Sequence, residues 1–196
     1  MKVRILHVIT TAMLVFLFSM AGCGDSSSGV SVTATIVPTY HGTDTSSVDA
    51  VQDVCPSGSP EYFADHAANA TITASILNPT IHPSVTVYID GYTIDYVSSA
   101  DSLNAPPIQR YVGNETFSFI VSGNVVSQAS ATVEFVDLIR KIQYIQALES
   151  GQYHSSADYL NNYEAIYTFE GHTDSGSNFT VSATAPFEIG DYDNCQ

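Results

Sequence analysis

The chain has 196 residues, and its 20 Asp and Glu against five Lys and Arg give a formal net charge of −15. Such a surface repels phosphate backbones, which excludes nucleic acid as a partner, and leaves divalent cations, basic partners or solubility as uses for the charge. An apolar share of 44% excludes a disordered chain, and 12 Tyr with no Trp, among abundant Ser, Thr, Val and Ile, favour pleated, half-buried β surface.

Residues 1–22 open with Lys2 and Arg4 and continue as an apolar run from Ile5 to Phe18. At about 14 residues the run is short of the roughly 20 that a spanning helix needs, and fits a cleaved secretory signal. Leu17-Phe18-Ser19-Met20-Ala21-Gly22-Cys23 then leads into a Ser/Gly-rich tract, Gly24 to Gly29. This layout resembles a bacterial lipoprotein signal peptide. The resemblance implies a palmitate-type lipid anchor on Cys23, a flexible tether over 23–29, and a mature domain over 30–196. Two or more acyl chains make anchoring stable. Gly24 after the cysteine implies export to the outer membrane, facing the periplasm or the exterior.

The part after residue 22 keeps all 20 acidic residues and only Arg110, Arg140 and Lys141 as cations. Val30 to Tyr40 alternates with period two and is the first strand. A long connection over 41–67 follows, with short helical pieces expected at Ser47–Val54 and Pro60–His66. Ala70, Ile72, Ala74 and Ile76 place a second strand over 69–77. Residues 84–98 are a third, whose apolar parity flips at Asp90-Gly91, so a bulge or a change of sheet is expected there. Residues 115–121 make a fourth. Ala129 to Ile145 reads as one long strand because β-branched residues dominate, although Leu138, Ile139, Ile142 and Ile145 also fit helical spacing. Residues 162–171 and 179–187 alternate around a strong hairpin turn, His172 to Asn178.

Seven strands with Pro and Gly turns and no βαβ rhythm predict an all-β antiparallel sandwich. The pattern resembles immunoglobulin-like and fibronectin-like domains by strand count, without the Cys…Trp…Cys arrangement of antibody domains. In an exported protein the two remaining cysteines, Cys55 and Cys195, are read as one disulfide. It would bring Asp53, near Asp49, close to Asp191, Asp193 and Asn194, a set of hard oxygens of the kind calcium takes. Solvated acidic loops are the competing reading of that set.

No Gly-x-Ser-x-Gly elbow, zinc-spaced cysteine set, His-Glu-x-x-His or phosphate loop occurs, so no enzyme is expected. His66 and His154 are expected at the surface. The tyrosines at 88, 92, 96, 163 and 167 are expected as sheet edge and core. The function expected is a lipid-anchored, non-catalytic envelope module for structure or protein interaction. The alternative is calcium or small-ligand binding at the loops near Cys55 and Cys195.

Overall fold

The computed structural model describes residues 29–40, 43–102, 104–155 and 159–192. The signal peptide and tether expected over 1–28, with Cys23, and Asp193, Asn194 and Cys195 lie outside these residues. Among the described residues the strands are β1 (Val30–Tyr40), β2 (Thr43–Asp44), β3 (Ser47–Asp49), β4 (His66–Ile76), β5 (Ser84–Ser98), β6 (Tyr111–Gly113), β7 (Phe117–Ser122), β8 (Ser127–Val136), β9 (Asn161–Thr173) and β10 (Asn178–Gly190). One helix, α1 (Leu138–Glu149), sits between β8 and β9. The seven long strands lie close to the seven expected, with β4 beginning three residues early.

The strands form two sheets. One runs β2-β1-β4-β8; the other runs β3-β10-β9-β5-β6, with β7 also paired to β5. Every pair is antiparallel except β3 with β10. A single core fills the space between the sheets. β1 and β4 supply Val32, Ala34, Ile36, Ala70 and Ile72; β5, β9 and β10 supply Val87, Ile94, Tyr167, Phe169 and Val181. Burying one such large side chain contributes roughly 1.5–3 kcal/mol, which explains why alternation is the strongest signal in the chain. The result is an all-β, sandwich-like arrangement.

The parity flip in β5 is a bulge. Its register against β9 shifts between Ile89 and Gly91, so Val85, Val87 and Ile89 face the core before it, and Tyr92 and Ile94 after it. The β9–β10 hairpin also stands at its expected place, with Asn178 paired to His172.

Two expectations are corrected. Residues 129–145 are not one strand: β8 ends at Val136 and α1 comes next. The Asp137 carboxylate accepts from the Arg140 backbone N–H at 2.9 Å and caps the helix. Asp65 accepts from the Leu138 N–H at 2.7 Å. A capped run without Gly or Pro from 138 to 149 outweighs the β propensity of its isoleucines. The helical pieces expected at 47–54 and 60–66 are absent. Ser47–Asp49 instead adds a parallel edge to β10, with Ile189 opposite Val48, and the chain over 50–65 is irregular apart from a bridge between Val54 and Pro60.

The strand directions give the molecule two poles. The turns 77–83, 123–126 and 174–177 meet at one, together with Gly29, whose carbonyl accepts from Leu77 N–H at 3.0 Å. The 45–65 loop, the start of the 99–110 segment, α1 and residues 191–192 lie at the other. The first is termed the N-terminal pole and the second the acidic pole.

Gly171 is fixed by close approach. A Cβ there would stand 2.3 Å from the Tyr88 carbonyl oxygen and 2.5 Å from the Phe179 ring. Backbone cannot yield as a side-chain end can, so Gly171→Ala is expected to lower unfolding free energy by about 1–3 kcal/mol, read as a lower urea midpoint at unchanged slope.

Candidate functional site

The acidic pole holds the least ordinary chemistry of the molecule. Four acidic residues lie between positions 45 and 65, one in 99–110, two in 137–155, and Asp191 follows β10. All three cations of the domain are occupied inside this same half. Arg110 grips Asp95 through Nε at 2.7 Å and Nη2 at 2.5 Å. Arg140 pairs with Asp137, donates to the carbonyls of Gln109 and Arg110, and lies 5.0 Å over the Tyr111 ring. Lys141 is fully buried; its Nζ donates to the Ala64 carbonyl at 2.6 Å and sits over the rings of Phe63 and Tyr40.

Lys141 belongs to a buried polar centre. His66, at the start of β4, is wholly buried, stacks on Tyr40 at 4.6 Å, and leaves both ring nitrogens without a hydrogen-bond partner. This corrects the expected surface histidine. Polar neighbours along the chain suggest exposure, but residue 66 opens β4 on its inward parity, which no local composition reveals. His154 is exposed, as expected. Burial first, and the Lys141 charge second, lower the His66 pKa to about 4, with the Thr45 backbone acting weakly the other way. Burial likewise lowers Lys141 to about 8, against the pull of Asp49, Asp65, Glu134 and Glu61. Burial, reinforced by Asp65 and Asp137, raises Glu134 to about 7, and its Oε1 has no hydrogen-bond partner.

The consequence is a helix of mixed polarity, with a lysine on its buried face and two isoleucines on its exposed one. The face of α1 turned to the protein carries Lys141, Tyr144 and Leu148. Tyr144 Oη donates to the Tyr159 carbonyl and accepts from Asn161 Nδ2 at 2.8 Å. Ile139 and Ile142 face outward, 64% and 48% exposed, and with Gln143 and Gln146 they form a stripe at positions i, i+3, i+4 and i+7. Asp137 and the exposed Asp65 border the N-terminal end of that stripe.

Nearby, two shallow clefts of about 450 and 390 Å³ meet at Asp101 and Asn162. Their walls are mostly hydroxyl, amide and carboxylate, including Ser46, Ser47, Ser102, Asn162 and Glu188. Asn162 is held there by Asp101 at 3.2 Å and by its own N–H to Ser102 Oγ at 2.8 Å.

The acidic residues singled out from sequence are only partly placed. Asp53 is exposed, and its backbone N–H donates to Glu61 Oε1 at 2.9 Å. Asp191 is half-buried. The tail does approach the first loop, because Tyr192 N–H donates to Asp49 Oδ1 at 3.3 Å. Among the described residues no group of three or more His, Cys, Asp or Glu is disposed to hold a metal ion. The buried Lys141 and His66 and the half-buried Glu134 escape sequence reasoning because burial of a charge is a tertiary fact; the one hint is Lys141 standing in an apolar helical repeat.

With this geometry in view, the class the fold defines is an all-β, two-sheet protein with an acidic, helix-bearing pole. No family model matches the chain, and no curated protein or solved structure is similar to it.

The buried centre has opposed pH responses. The unfolded chain protonates His66 near 6.5, the folded one near 4; stability from this group is therefore lost as pH falls from about 6.5 to 4. Glu134 runs the other way, with an ordinary value of 4.5 and a folded value of about 7; stability from it is lost as pH rises between them. Urea unfolding across pH 4–7 should show the advantage of His66→Phe over wild type growing toward acid. The advantage of Glu134→Gln should grow toward neutral; the change is about 2–3 kcal/mol for His66 and smaller for the half-buried Glu134, whose carboxylate is partly screened by solvent.

Proposed function

We propose that this protein is a lipid-anchored component of the bacterial cell envelope whose β-sandwich is a non-catalytic protein-interaction module. The observation that carries the reading is the mixed polarity of α1, which places Lys141 inside beside Tyr144 and Leu148 and leaves Ile139 and Ile142 outside. Burying an ammonium while leaving two isoleucines in water is costly for the domain alone. A partner that covers Ile139 and Ile142 recovers apolar burial, and the surrounding carboxylates favour one that carries basic side chains.

The anchor is the lipid expected on Cys23, and its support is the signal-like run of residues 1–22. We read the sandwich as immunoglobulin-like. Taken in order, the seven long strands fall 1-2-5 in one sheet and 4-3-6-7 in the other. Antibody constant domains place the fourth strand in the first sheet instead. A Cys55–Cys195 disulfide belongs to the same reading. Cys55 is buried, and the Tyr192–Asp49 hydrogen bond draws the chain three residues before Cys195 against the loop that leads to Cys55.

The test is co-purification from native membranes after mild cross-linking. The wild-type chain should retain a discrete partner, and Ile139→Glu with Ile142→Glu should lose it while unfolding free energy changes by less than about 0.5 kcal/mol. Capture of the same partner by the double variant at equal yield would remove α1 as the interface.

A further inference from the structure

We infer that the N-terminal pole is a second membrane contact, seated on the lipid surface by its apolar turns beside the Cys23 anchor. The inference rests on the lipidation proposed above and goes beyond it, because an acyl anchor at one residue imposes no orientation on the domain.

Three observations on the pole converge. First, its turns expose large aliphatic side chains: Leu77 is 57% exposed, Ile81 67%, Val125 65% and Val126 64%. They lie on adjoining turns. The β4–β8 ladder ends with Ala74 opposite Ser127, which brings Leu77 and Val126 to the same end of the sheet, and Gly123 N–H donates to the Pro83 carbonyl at 2.8 Å, joining the two turns. Second, the pole is almost without charge. Across 77–83, 123–126 and 174–177 the chain has one carboxylate, Asp174, and no Lys or Arg. That carboxylate is turned to the Thr86 N–H at 3.0 Å. In so acidic a protein this is the surface that lipid headgroups repel least. Third, the patch lies where the anchor must hold it. Gly29 shares the pole with Leu77 and stands six positions after Cys23. Six chain steps reach at most about 20 Å even when fully extended, so the bilayer surface cannot be far from these turns.

The occupant that fits is therefore the headgroup and upper acyl region, which takes apolar side chains to a depth of about 5–10 Å. Aliphatic side chains on loop tips suit such shallow insertion, while the opposite acidic pole is carried outward, away from the lipid.

The chain has no Trp, so a single reporter can be placed without background. Lipidated full-length Ile81→Trp and Val125→Trp, and Ile139→Trp on α1 as the opposite-pole reference, are reconstituted in phosphatidylcholine vesicles with and without lipid brominated near the glycerol end of its acyl chains. The expected result is blue-shifted emission at 81 and 125 with most of its intensity quenched by brominated lipid, and neither change at 139. Labelling with a radioactive fatty acid, with Cys23→Ala as control, reports the anchor separately. An anchored protein whose Trp at 81 and 125 stays unquenched overturns this inference and leaves the anchor standing. A blue shift without quenching assigns the patch to a protein or a second copy and also overturns it. Failure to incorporate fatty acid overturns both readings together.

Discussion

Three tyrosine hydroxyls tie the two sheets to one another, and the acidic pole depends on them. Tyr92 Oη accepts from the Glu134 N–H at 2.8 Å, Tyr167 Oη donates to the Glu134 carbonyl at 2.6 Å, and Tyr96 Oη donates to the Phe135 carbonyl at 2.5 Å. The tyrosines come from β5 and β9; the acceptors and donor belong to β8, the outermost strand of the other sheet. An edge strand presents backbone groups with no neighbour, and buried ones left unmet cost a lost hydrogen bond each. Here the opposite sheet supplies the partners. Burial also raises the pKa of each of these phenols, so all three remain protonated and keep their donor capacity.

That restraint sets the course of the chain beyond β8. With Glu134 and Phe135 pinned, β8 delivers Asp137 to the point where its carboxylate can cap α1 and pair with Arg140. The helix then lies with Lys141 over Tyr40 and Phe63 and with Tyr144 against Asn161. The first loop closes over the same centre, since the Lys141 ammonium holds the Ala64 carbonyl and Asp65 holds the Leu138 N–H. The irregular stretch from 50 to 65 is thus ordered by contacts to α1 and β10, without regular secondary structure of its own.

Alternation makes the sheets legible from sequence. Where a strand has one face in the core, period two is enforced by burial, and β1 is read to the residue while β4, β9 and β10 are read to within three. Even the bulge at Asp90-Gly91 is visible, because a one-residue insertion must invert the pattern downstream of it. The helix is illegible for the complementary reason. Its outward stripe carries Ile139 and Ile142, and its inward face mixes Lys141 with Tyr144 and Leu148, so hydropathy does not separate the two faces. His66 and Glu134 cannot be read from the sequence at all. The burial of His66 depends on α1 and the loop packing over the end of the sheets, and those contacts join residues 70 and more positions apart. Sheet order is likewise outside the reach of periodicity.

The distribution of charge gives the two poles different physics. A chain with so few cations can keep them at the surface, where they soften the acidic field, or consume them internally. This chain consumes two of its three internally, Arg140 and Lys141 being bound to backbone carbonyls, while the exposed Arg110 is neutralised by Asp95. The acidic field at the helix-bearing pole is therefore left largely uncompensated, while the turn-bearing pole contributes almost none of it. Such an axial asymmetry exerts a torque near any negatively charged surface, turning the acidic end away, and it acts over about a Debye length, roughly 8–10 Å at physiological salt. On the proposed reading the anchor and this torque cooperate: the lipid fixes distance and the charge fixes direction. The isoleucine stripe of α1 is then held outward, toward a partner, by forces that make no contact with it.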